Sequence, residues 1–263
     1  MSVALCKPGL FGLERVRYFP RQLITADDMS AEQEYLRQRD RRHNRFLHGW
    51  GVVCDLSVEP APDAKHPWQV RVCPGYAMGP QGDEISVGAM VLFDLATGIC
   101  DNDPCQPWPC PPPANPNSTV GGQQQRQPVY LAIRHAECDS KPVRVHPLGC
   151  GCDEMLCEYS RIRDDFELKL LCELPQSHVI AGAQDLAWAI KFKQWATNND
   201  NRGPPPLPPC PQCPDDPWVV IARIHLPDKP TTPIVASQID YVGRRLLYST
   251  QALQMALLTL ATA

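Results

Sequence analysis

The side chains best suited to chemistry are thirteen cysteines in a chain of 263 residues, set among twenty-nine prolines. Cys138, Cys150, Cys152 and Cys157 fall in one region. Cys100, Cys105 and Cys110 lie in one proline-rich stretch, and Cys210 and Cys213 lie in another. Cys210-Pro-Gln-Cys213 has the spacing of a zinc knuckle, in which a tight turn aims two thiolates at one tetrahedral ion. Cys105 and Cys110 are the natural second pair for that ion. The group at 138–157 would form a second four-thiolate site, with Gly149 and Gly151 letting the backbone bend around the short Cys150-Gly-Cys152 spacing. Structural zinc is therefore the expected cofactor, as a staple for loops that carry few apolar residues. Disulfides and unligated thiols remain alternatives. The spacing fits neither common ferredoxin pattern. Cys54, Cys73 and Cys172 fall in or beside strand-like runs and read as small core residues.

Other chemistries are poorly represented. No phosphate loop, GxSxG elbow, HExxH helix or GxGxxG turn occurs. His43 and His48 are five residues apart, which on an α-helix places them on different faces and spoils a metal pair. Asp27 and Asp28 read as capping residues, and Asp164-Asp165 as a solvated pair where a strand bends. An open zinc site using His135 or His146 near Cys138 and Cys150 would be able to activate water. Thiolate-rich closed sites are usually structural, however, so no catalytic residue is assigned.

The elements that would position these groups follow from periodicity and end signals. Thr25-Ala-Asp-Asp28 has the form of a capping box opening a helix to about His48, with Gly49 as its stop. That helix is acidic at its start and basic at its end, as its macrodipole favours. Its thin apolar stripe (Met29, Leu36 or Tyr35, His43, and Phe46 with Leu47) suits a surface or a partner. Strand patterns cover residues 51–58, 68–73, 84–95, 129–135 and 159–170, with a weaker one at 143–145 and a strong one at 218–224. A middle helix is expected over about 179–197. A last helix is expected from Gly243 to Thr262, apolar on more than one side, completing the core or docking in an assembly. The resulting class is α+β, mainly β. It divides into an N-terminal arm and helix (1–49), a β-rich core with Pro/Cys loops at 100–128 and 198–217 (50–242), and a C-terminal docking helix (243–263).

Composition limits the partners. Twenty-five basic against twenty-nine acidic side chains, a net charge of −4, give no basic footprint for nucleic acid. No run reaches the roughly 18 apolar residues of a membrane span. The N-terminus lacks the charged-then-apolar order of a signal peptide, so synthesis in the cytoplasm is expected.

The run Tyr18-Phe-Pro-Arg-Gln-Leu-Ile-Thr-Ala-Asp-Asp28, then Glu32-Gln-Glu-Tyr35 and Arg42-His-Asn-Arg-Phe-Leu-His-Gly-Trp-Gly-Val-Val-Cys54, resembles proteins encoded with phage tails and phage-tail-like contractile injection systems. Pro74-Gly-Tyr-Ala-Met78 with Gly82-Asp-Glu84, and Cys157-Glu-Tyr-Ser-Arg-Ile-Arg163, extend the likeness. It covers residues 18–90, 129–135 and 157–171. The resemblance implies a tail- or baseplate-associated structural module. As an adaptor or appendage of such a particle, the chain would dock through its polar helix at 25–48 or its apolar segment at 244–263 onto baseplate or tail subunits. The alternatives are a stand-alone zinc-binding interaction module and, less readily, a zinc-dependent hydrolase.

Overall fold

The computed structural model describes residues 12–97, 128–145, 156–197, 203–229, 231–250 and 252–255. Two α-helices, one π-helical turn, one short 3-10 helix and ten strands make up its named regular elements, so the class is α+β and mainly β, as expected. Among the described residues no helix is long and apolar enough to cross a membrane.

Helix α1 (Ala26–His43) begins at the expected capping box and ends in a five-residue π-helical turn (Asn44–His48), closed by Gly49. Beyond it the chain enters three small antiparallel sheets. The first joins β1 (Gly51–Asp55), β4 (Gly75–Met78) and β5 (Glu84–Val87). The second joins β2 (Val58–Pro60), β3 (Gln69–Val72) and β6 (Val91–Asp94). The third is ordered β10-β9-β7-β8, from β7 (Val129–Val145), β8 (Leu156–Leu171), β9 (Val219–Ile224) and β10 (Ile239–Asp240). Helix α2 (Gln176–Thr197) lies between β8 and β9 in sequence.

Residues 51–58, read from the sequence as one strand, form two strands in different sheets. Asp55 and Leu56 both adopt left-handed backbone angles, with φ of 47° and 54°, and turn the chain from the first sheet to the second. Such angles disfavour side-chain-bearing residues, so neighbours must hold them. Leu56 is fully buried. The Arg244 guanidinium donates to the carbonyls of Asp55, Leu56 and Ile221, fastening the corner from the far end of the chain.

All three sheets share one core. Val52 and Ile85 come from the first, Val70 and Val72 from the second, and Leu131 and Ile221 from the third. Strand β9, buried on both faces over its first four residues, runs through the middle. Its continuous apolar sequence matches that position.

The largest departure from the sequence reading is the β7–β8 hairpin. The apolar pattern suggests two short strands on its first limb, yet β7 runs unbroken for 17 residues beside the 16 of β8. That ladder is about 55 Å long. Strand β9 pairs only with residues 129–133, so the distal part is a two-stranded arm. The polar residues 136–142 hid its continuity, because a ribbon paired only with itself needs no apolar face.

The C-terminus also differs. Residues 244–247, expected to be helical, instead run beside β1: Val52 donates to the Arg245 carbonyl at 2.8 Å, and Leu247 donates to the Val52 carbonyl at 2.8 Å. Gly51 is required there, since a Cβ would lie 2.7 Å from the Arg245 oxygen. Helical structure begins at Thr250.

Candidate functional site

Helix α1 is fixed at both ends. At its start the Thr25 N–H donates to Asp28 Oδ2 at 2.9 Å, and the Asp28 N–H donates to Thr25 Oγ1 at 3.2 Å. The bonds from the Thr25 backbone and hydroxyl hold the Asp28 carboxyl below the usual range. Near its end Arg41, only 4% exposed, is paired with Asp83, and Asn44 Nδ2 donates to the Gly82 carbonyl at 3.0 Å. Gly82 sits at φ 93°, and a Cβ there would meet the Arg41 carbonyl at 2.3 Å. The helix and the β4–β5 turn therefore touch backbone to backbone.

The same helix reaches the root of the arm. Arg37 Nη1 lies 3.3 Å from Glu137 Oε1. Between α1, the β4–β5 turn and the first turns of the arm lies a cleft of about 510 Å³. His135 and Glu137 are two apart on β7 and so share a face, and Asp164 pairs directly opposite Glu137 on β8. His135 Nε2 is 3.4 Å from Asp164 Oδ1. One ligating atom from each of the three lies within 4.8 Å of the others. Among the described residues this is the one group of three whose donor types and spacing suit a metal ion.

The cysteines are arranged differently from the expectation. Cys100, Cys105, Cys110, Cys150 and Cys152 lie outside the described residues, as does His146. Cys138 pairs across the ladder with Arg163, whereas Cys157 pairs with Arg144. Six residues of strand separate the two, about 20 Å. Sulfurs on one tetrahedral zinc lie about 4 Å apart, so Cys138 and Cys157 do not share an ion. Cys138 is also three residues from His135, hence on the opposite face, which removes the open zinc site built on that pair. Its thiol donates to Asp165 Oδ2 at 3.4 Å, and that bond to a carboxylate raises its pKa. Such a thiol is a poor nucleophile at neutral pH.

Cys213 is in a disulfide, and a disulfide sulfur is no thiolate ligand. The Cys210-Pro-Gln-Cys213 knuckle is therefore not formed, and Cys210 carries an exposed free thiol. Cys172 is likewise disulfide-bonded, and Cys54 is exposed, so neither is a simple core thiol. Three side-chain hydrogen bonds tie down the described part of the second proline-rich loop. Trp188 Nε1 donates to the Pro206 carbonyl and Trp195 Nε1 to the Gly203 carbonyl, each at 3.2 Å. Gln81 Nε2 donates to the Pro214 carbonyl at 3.2 Å.

His43 and His48 are brought together after all, ring centres 5.4 Å apart edge to face. The π-helical turn widens the period, so residues five apart share a face. Sequence reasoning missed Asp164 and Glu137. The i, i+2 spacing of His135 and Glu137 was legible, but which carboxylate faces them depends on the hairpin register.

No protein-family model matches the chain, and no curated protein matches it. Among solved structures the chain has a distant likeness to one described as the crystal structure of TssK, with 10% identity and a TM-score of 0.34. The likeness covers 87% of this chain and 41% of that one. At that score it identifies neither fold nor function.

Proposed function

We propose that this protein acts by docking and not by catalysis, as a structural subunit of a large assembly. Helix α2 carries that reading. Val179, Leu186 and Ile190 lie seven and four residues apart, on one stripe of the helix, and are 48%, 64% and 49% exposed. The opposite side holds Trp188, Phe192 and Trp195, which stack with ring centres 5.3 and 5.7 Å apart, and the two tryptophans hold the proline-rich loop. One side of the helix is thus in use within the chain, and the aliphatic stripe remains for a partner. Met29 and Leu36 on α1 repeat the pattern, both about half exposed.

The assembly we propose is a phage-tail-like contractile injection particle, with this protein attached at its baseplate or tail. That assignment is supported by the resemblance in residues 18–90, 129–135 and 157–171. The test is the double substitution Leu186→Glu, Ile190→Glu, expressed in the native host in place of the wild-type chain. The expected result is a folded monomer with unchanged circular dichroism that is absent from purified particles. Incorporation at the wild-type ratio would refute the docking role of α2.

A further inference from the structure

We propose that His135, Glu137 and Asp164 bind one divalent first-row transition ion, of the Zn²⁺ or Co²⁺ class, at the root of the arm. The first reason is electrostatic. Glu137 and Asp164 are directly opposite on the ladder, and like charges in that position repel. Arg37 reaches Glu137 Oε1 at 3.3 Å, and a guanidinium on one of the two carboxylates relieves only part of that repulsion. The cleft deepens the imbalance. It is lined by six carboxylates (Asp40, Asp83, Glu84, Glu137, Asp164, Asp165) and two guanidiniums, Arg37 and Arg41, each already paired with one of them. Surplus negative charge within a concave wall favours a cation.

The second reason is the donor set. An imidazole beside two carboxylates suits zinc-like ions better than Mg²⁺ or Ca²⁺, which prefer oxygen alone. Metal–ligand bonds of about 2.0–2.2 Å place ligand atoms about 3–4 Å apart. The three ligand atoms, all within 4.8 Å of one another, reach that range by small side-chain rotations, and Asp164 has the freedom to make them because its side chain is mostly exposed. Glu137 keeps Arg37 on Oε1 and offers Oε2, so Arg37 orients a ligand from behind. The buried Arg41, which also lines the cleft, has an Nη1 without a partner among the described residues. The ion would clamp both strands of the arm at the point where it meets α1.

Chelator-treated full-length protein titrated with Co²⁺, followed by calorimetry and visible absorption, decides this. Thiolate ligation gives intense near-ultraviolet charge-transfer bands, and an imidazole–carboxylate site gives only weak visible ones, so the many cysteines do not confuse the result. One Co²⁺ per chain is expected without charge-transfer bands. Asp164→Asn and His135→Gln should each weaken binding at least about 10-fold, and Cys138→Ser should leave it unchanged. Asp164→Asn alters an exposed side chain, so its loss of binding is not a loss of fold. Wild-type affinity in Asp164→Asn and His135→Gln, binding only with thiolate bands, or full competition by equimolar Mg²⁺ would each overturn the site.

Discussion

At the scale of single residues, His178 is the group whose chemistry the fold changes most. It lies at the start of α2, 7% exposed, edge-on to the Trp50 ring at 4.6 Å, and its Nε2 accepts from the Val220 N–H at 3.1 Å. That bond requires a neutral ring. Burial pushes its pKa down to about 4, Asp216 opposes the shift, and Arg245 adds to it. The unfolded chain protonates the same ring near 6.5. Between those values the unfolded state binds the proton and the native state does not, so acidification favours unfolding. Stability from this group is complete above pH 6.5 and is lost as pH falls toward 4, by on the order of 3 kcal/mol. The imidazole resonances should stay those of a neutral ring down to about pH 5, and His178→Gln should flatten the dependence of stability on pH across that window. A ring that titrates near 6.5 in the folded protein would contradict this.

At the scale of elements, the decisive joint is the corner between β1 and β2. Two successive left-handed residues are kept there by the Arg244 guanidinium, which donates to the carbonyls of Asp55 and the buried Leu56, and by the pairing of residues 245–247 with β1. The C-terminal segment therefore has two parts with different duties. Removing residues 249–263 should leave a cooperative melt close to that of the full chain. Removing 244–263 should abolish it or lower stability by about 3 kcal/mol or more, because charged donors to buried carbonyls contribute about 1.5–3 kcal/mol and the corner then loses its brace. Thermal melts by circular dichroism distinguish the two. The expected docking helix consequently begins after Ser249, and a truncation meant to test docking must begin there.

At the scale of the whole molecule, the core and the distal arm are expected to be energetically separate. The buried cluster is supplied by the three sheets, while Tyr159 and Ile162 on the arm are exposed. Asp139 and Ile162 are directly opposite, so joining them through Asn-Gly closes the ladder with a two-residue turn and removes the distal arm. This shortened protein should melt within about 3 °C of the full chain, a shift that corresponds to only about 1 kcal/mol for a domain of 150–250 residues. A large loss of stability would mean that the arm belongs to the folding unit. The arm, the aliphatic stripe of α2 and the thin stripe of α1 all lie outside the core.

The sequence by itself determined what depends on near neighbours along the chain. The capping box at Thr25 and Asp28, the stop at Gly49, the buried run of β9 and the mainly β class all follow from local sterics and hydrogen bonding. Tertiary structure decided what depends on register and on distant partners. Asp55 and Leu56 carry no glycine to announce their turn, because Arg244, almost 190 residues later, stabilises it. The cysteines between 138 and 157 looked like one cluster because they are close in sequence, yet a ladder rising more than 3 Å per residue draws Cys138 and Cys157 apart. The same ladder brings Asp164 beside Glu137 and His135, groups that sequence spacing gives no reason to join. Local signals name the elements, and long-range pairing chooses which side chains meet.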